Sequence, residues 1–156
     1  MKNMNAMLNI NIQNACSDPN IPNEEQLQQW ALLALGKRVA AGALTLRIVD
    51  AAESQGLNHH YRQQDKPTNV LAFPFEAFPG LEPREPIIGD VVICTAIVNQ
   101  EATQQHKTAN AHWAHIVIHG VLHLLGYDHI EASQAKVMES LEIDLLQQLG
   151  YADPYE

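Results

Sequence analysis

Strict alternation of apolar and polar residues marks Leu8-Asn9-Ile10-Asn11-Ile12-Gln13 and Leu44-Thr45-Leu46-Arg47-Ile48-Val49 as half-buried strands, because side chains of a strand point to opposite faces in turn. Two denser apolar runs, Asn69–Phe73 (stopped by Pro74) and Ile87–Cys94, read as two further strands. The intervening segments carry the helical period. Asn23 follows Pro22 and precedes Gln26 by three, a capping-box pattern, and Leu27, Trp30, Ala31, Ala34 and Leu35 form a stripe that ends at Gly36 or Gly42. Asp50 with Glu53 predicts a short helix ending near Gly56, followed by a polar loop over Leu57–Thr68. Pro79, Pro83, Pro86 and Gly80 make Phe75–Pro86 a long loop.

The last third is helical. Thr95 is the expected cap of a helix running to about Gln105, and Thr108–Leu125 forms a long helix that is apolar around much of its circumference and therefore central. Gly126 ends it. A final helix over Glu131–Leu149 places Val137, Leu141 and Leu145 on one face and stops at Gly150. Strands early and helices late give an α+β fold, a single mixed α/β layer domain over residues 1–156 with about four strands.

Composition narrows the class without changing it. With 46% hydrophobic and 17% charged residues the chain is globular, and its longest clean apolar run, Val39–Leu46, is far short of a membrane span. The N-terminus has no hydrophobic stretch of a secretory signal, so the expected location is cytoplasmic, with no membrane partner. Two cysteines do not make a disulfide framework: Cys16 reads as a loop thiol and Cys94 as a small buried hydrophobe. Eighteen acidic against nine basic residues give a net charge of −9, which argues against wide wrapping of nucleic acid but leaves room for a local basic cleft. Glu131, Glu139, Glu142, Asp144, Asp153 and Glu156 are expected to form a solvated acidic face.

The chemistry is concentrated in His119-Gly120-Val121-Leu122-His123-Leu124-Leu125-Gly126-Tyr127-Asp128-His129. Histidines four apart on a helix project from one face, one turn from each other, which suits two ligands of a tetrahedral metal ion. Gly126 can take the positive φ that ends the helix and turns the chain back, so that His129 becomes a third ligand. Three histidines leave an open fourth position, the mark of a catalytic zinc, where a bound water would have a pKa of about 7. His112 and His115 continue the same stripe, and His115 is expected to be a satisfied helix histidine rather than a fourth ligand. Asp128 could orient a ligand histidine or cap the helix, and Trp113 is expected in the core rather than stacked on a base. The spacing also belongs to metzincin proteases, whose pattern begins His-Glu; Gly120 stands in place of that glutamate and cannot activate water for peptide hydrolysis.

These residues resemble the signature of the YbeY family of bacterial rRNA maturation factors. The resemblance extends to Asn58-His59-His60-Tyr61-Arg62 with Asp65, to Pro67–Phe75, to Gly89–Cys94 and to Leu149–Tyr155, with Ala72 where a serine is more usual. It implies a single-strand-specific, metal-dependent endoribonuclease that acts in 16S rRNA 3′-end maturation and 70S ribosome quality control. It also implies single-stranded rRNA and the small ribosomal subunit with its proteins as partners, no DNA, one Zn2+ held by His119, His123 and His129, and Arg62 as a catalytic residue. A guanidinium suits that last role, because it grips a phosphodiester bidentately and stabilises developing negative charge. Lys66 could add a point charge, while His59 and His60 are expected to be solvent-exposed. The alternative is a ribosome-assembly binding factor with a mainly structural metal site, whose acidic surface meets basic ribosomal proteins.

Overall fold

The computed structural model describes residues 7–76, 79–80, 86–128 and 130–156. Its four strands are β1 (Leu8–Asn14), β2 (Gly42–Val49), β3 (Val70–Pro74) and β4 (Ile87–Cys94). They lie within two residues of the expected runs and form one sheet in the order β1-β2-β4-β3. β1, β2 and β4 are parallel, and β3 is an antiparallel edge strand whose Val70 pairs with Ile93 and whose Pro74 pairs with Gly89. A proline is tolerated at the end of an edge strand because no neighbour beyond it needs the missing donor. The described residues also form five helices: α1 (Glu24–Leu35), α2 (Ala51–Arg62), α3 (Thr95–Gln104), α4 (Ala109–Leu124) and α5 (Ala132–Gln148).

Alternation along the strands divides the interior into two layers. Ile10, Leu44, Leu46, Ile48, Val91 and Ile93 face α1 and α4, where Leu27, Trp30, Ala34, Val117, Ile118 and Val121 meet them. Val49, Leu71, Val92 and Cys94 face the other way and pack with Ala51 and Leu57 of α2. Met138, Leu145 and Leu146 of α5 join the first layer, so α4 has neighbours on both sides. Trp113 is 1% exposed and donates from Nε1 to Asn99 Oδ1 at 2.8 Å, which makes it a core residue as expected.

The caps of α1 and α4 follow the sequence. Asn23 accepts from the Gln26 amide at 2.8 Å and Thr108 from the Ala111 amide at 3.2 Å. Losing such an acceptor costs about 1 kcal/mol. Asn23→Ala should therefore lower the unfolding free energy by that amount, seen as a lower urea midpoint at an unchanged m value; an unaltered midpoint would remove the cap from the account.

Four expectations need correction. α2 does not stop near Gly56 but continues to Arg62, so much of the expected loop is helix. Space around Gly56 is open, and a helical glycine costs only about 1 kcal/mol. The extension is secured by Ser54 Oγ donating to Thr68 O at 2.9 Å and by buried Asn58 donating to Lys66 O at 2.9 Å. Gln63, at φ 57°, ends the helix instead. Asp50 sits at the N-cap position of α2, yet its carboxylate accepts from Ser17 and from Cys16 Sγ rather than from the helix. Cys94, not Thr95, precedes the first residue of α3. Finally, α5 is rotated from the expected phase: Val137 is 56% exposed, and Met138, Glu142, Leu145 and Leu146 face inward. The expected loop Phe75–Pro86 lies partly outside the described residues.

Candidate metal centre

α4 carries four histidines along one stripe, and adjacent ring centroids are 6.1, 6.2 and 6.3 Å apart from His112 through His115 and His119 to His123. The two ends of the stripe differ. His112 is buried and pairs with Glu101 at 2.9 Å, while Asn69 donates to the same carboxylate. Burial pushes the His112 pKa down against the pull of Glu101, which suits a structural neutral ring. His119 and His123 are half-buried, with ring planes within 18° of each other.

Gly120 lies on a different side of α4. A Cβ there would stand 2.8 Å from Val70 Cγ2 and 2.8 Å from Val91 Cγ1, so the helix approaches the sheet more closely than any side chain would allow. The position a metzincin gives to its glutamate is here part of the helix–sheet contact.

The helix ends in a Schellman motif. The Gly126 amide donates to His123 O at 3.0 Å and the Tyr127 amide to Leu122 O at 3.1 Å, with Gly126 at φ 102°. That turn brings the Tyr127 carbonyl back to His123, whose Nδ1 donates to it at 3.0 Å. A carbonyl can only accept, so in the neutral ring Nδ1 carries the proton and Nε2 the lone pair. His119 is set the same way by a different acceptor: its Nδ1 lies 2.7 Å from Glu142 Oε1. Both rings are thus anchored through Nδ1, which leaves the lone pair on Nε2, an arrangement that would suit a metal ligand. His129, the expected third ligand, lies outside the described residues.

Glu142 is the residue that sequence reasoning missed. It was expected on a solvated acidic face, but it is 0% exposed. Its carboxylate also accepts from Tyr155 OH at 2.6 Å and lies 3.2 Å from His115 Nε2. Burial pushes the carboxyl pKa up, but hydrogen bonds from His115, His119 and the Tyr155 hydroxyl outweigh it and hold the pKa at about 2. The Tyr155 phenol is correspondingly raised, first by its own burial and then by Glu142. Nε2 of His115 lies 3.2 Å from Glu142 Oε1 and 3.3 Å from Tyr155 OH, but its Nδ1 is buried without a partner among the described residues, so the ring is only half satisfied. His115, His119 and Glu142 place one potential ligand atom each within 4.8 Å of one another, and this group could hold a metal ion.

Arg62 occupies the last position of α2 and is exposed. It makes no hydrogen bond or ion pair among the described residues. Its neighbour Tyr61 meets Phe73 edge-on at 5.0 Å, and Phe73 pairs with Asp90 beside Gly89. Leu124, the last residue of α4, packs over Gly89. The final turns of α2 and α4 therefore lie at the same end of the sheet, on opposite faces. His59 and His60 are exposed, as expected, although on a helix rather than in a loop.

A family model described as Endoribonuclease YbeY matches residues 11–150. The chain belongs to the YbeY endoribonuclease family. The YbeY match includes Arg62, His119, His123 and Glu142, whereas Tyr155 lies beyond it. Among solved structures, the solution structure of TM1509 from Thermotoga maritima is similar at a TM-score of 0.56 and 23% identity, over 93% of this chain and 99% of that one. That likeness shows a shared fold. Among the described residues, no helix is long and apolar enough to cross a membrane.

Proposed function

We propose that this chain is a metal-dependent endoribonuclease that cuts single-stranded RNA, and that it acts on rRNA in 16S 3′-end maturation and 70S ribosome quality control. The observation that carries the reading is the pair His119 and His123, each anchored through Nδ1 with the lone pair left on Nε2, in a chain of an endoribonuclease family. His119, His123 and His129 would hold one divalent ion, zinc being the best match to an all-imidazole set. Such an ion lowers the pKa of a coordinated water to about 7 and so supplies a nucleophile at neutral pH. Single-stranded rRNA on the small ribosomal subunit would be the substrate, and the chain would work as one cytoplasmic domain.

The chain's own contribution is orientation and charge. Glu142 and the Tyr127 carbonyl keep the two rings in one tautomer, and Arg62 would grip the scissile phosphate from the end of α2. With no acidic partner among the described residues, the Arg62 guanidinium is available for that contact. A net charge of −9 favours such a local grip over a broad basic surface.

The test is Arg62→Ala in a cleavage assay on single-stranded RNA. Removing one preorganised donor to developing charge slows catalysis by roughly 10²–10³-fold. The variant should lose turnover to that extent while its zinc content and thermal midpoint stay at wild-type values. Unchanged turnover would take Arg62 out of the mechanism.

A further inference from the structure

Glu142 needs an explanation beyond packing. It stands on the inward face of α5 beside Met138, Leu145 and Leu146, at 0% exposure. A buried carboxylate costs several kcal/mol in lost hydration, and an apolar residue of similar volume is often as good or better for stability. Here the carboxylate has donors on three sides: His119 Nδ1 at 2.7 Å, His115 Nε2 at 3.2 Å and Tyr155 OH at 2.6 Å. Two of these donors belong to the histidine stripe of α4. The third, Tyr155, comes from the far end of the chain and is 47% exposed as a residue.

Two roles fit a carboxylate beside a metal helix. It could be a ligand itself, together with His115 and His119, or it could orient a ligand. The distances decide between them. Two ligand atoms on a tetrahedral ion with bonds of about 2.0–2.1 Å stand roughly 3.3 Å apart. The 2.7 Å between His119 Nδ1 and Glu142 Oε1 is shorter than that and matches an N–H···O⁻ hydrogen bond. His123 supplies an independent comparison, since its Nδ1 is tied to the Tyr127 carbonyl, which leaves Nε2 as its ligating atom. The two rings, 18° from parallel, thus have the same tautomer enforced by different acceptors.

We propose that Glu142, itself held by Tyr155 and His115, is a positioning residue of the metal centre: its carboxylate fixes the His119 ring so that Nε2 is presented to the ion. The inference rests on the reading of His119 as a metal ligand. A full negative charge on the Nδ1 side also makes Nε2 a stronger donor than a neutral acceptor would. Tyr155 matters because it occupies the outer oxygen of Glu142 and keeps the carboxylate from turning away from His119.

The experiment uses the full chain loaded with zinc, and reads zinc affinity by competition with a chromophoric chelator and the histidine rings by long-range 1H–15N NMR. Wild-type spectra should show His119 protonated at Nδ1 and metal-bound at Nε2. Glu142→Gln keeps the volume and removes the charge; it should weaken zinc binding 10–100-fold, the usual loss for an outer partner of a ligand histidine. Tyr155→Phe, at a half-exposed ring, should fold normally and weaken zinc binding by a smaller factor. Unchanged affinity in Glu142→Gln overturns the proposal, and so does a spectrum with His119 Nδ1 on the metal, which would make Glu142 a ligand. Should Glu142→Gln fail to fold, unchanged affinity in Tyr155→Phe overturns it. Wild-type protein that takes up no zinc would instead refute the His119 reading on which the proposal stands.

Discussion

Replacing His119 with alanine should strip the protein of its metal and slow cleavage of single-stranded RNA by at least roughly a thousandfold. The size follows from what a bound ion contributes: several kcal/mol of charge stabilisation and nucleophile activation, at about 1.4 kcal/mol for each factor of ten. The fold should survive. His119 is 24% exposed at its side chain, and Glu142 keeps His115 and Tyr155 as donors when it is gone. Leaving that carboxylate one donor short costs about 1–3 kcal/mol, within the usual 5–15 kcal/mol stability of a domain. Metal analysis, circular dichroism and an RNA cleavage assay together check this, and a strong chelator on wild-type protein should reproduce the loss. Wild-type cleavage by metal-free protein would end the metal-dependent reading.

The second large effect concerns fold, not chemistry. Gly120→Glu writes the protease-like His-Glu pair into α4, and it should leave little folded protein and no peptidase. A Cβ at this position already stands 2.8 Å from two valine methyl groups on different strands. Overpacking of this kind costs typically 1–3 kcal/mol, and an unpaired carboxylate buried against Val70 and Val91 adds several more. The sum approaches the whole stability of a domain. Soluble yield and thermal unfolding give the answer; a stable Gly120→Glu protein would mean that α4 can lift from the sheet at small cost.

The strands and the histidine pair were legible because both depend on local periodicity. Alternation placed β1 and β2, and short apolar runs placed β3 and β4, within two residues of their observed ends. The four-residue spacing of His119 and His123, with Gly126 three further on, carried the site and its turn. What stayed hidden was set by partners distant in sequence. Glu142 reaches His119 across 23 residues, and Tyr155 reaches Glu142 across 13. A charged residue inside an acidic stretch reads as surface, so the phase of α5 was set by Val137 instead. Counting Glu142 as an inward position would have shown the stripe Met138, Glu142, Leu145, Leu146, which is the one observed. The end of α2 was missed for a similar reason, since the bonds from Ser54 and Asn58 that secure it go to the backbone of a loop beyond the helix.

The close approach at Gly120 and Gly89 also bears on how the protein can move. Val70 and Val91 fill the space at Gly120, and Leu124 seats over Gly89 one turn further along. Two notches in register leave α4 no translational freedom along β4, because a shift by one residue would drive a side chain into each. His119 and His123 are therefore held in a fixed position relative to the sheet. Adjustment of the candidate centre is left to the segments around α4: the turn after Leu124, α5 with Glu142, and the C-terminal stretch that carries Tyr155.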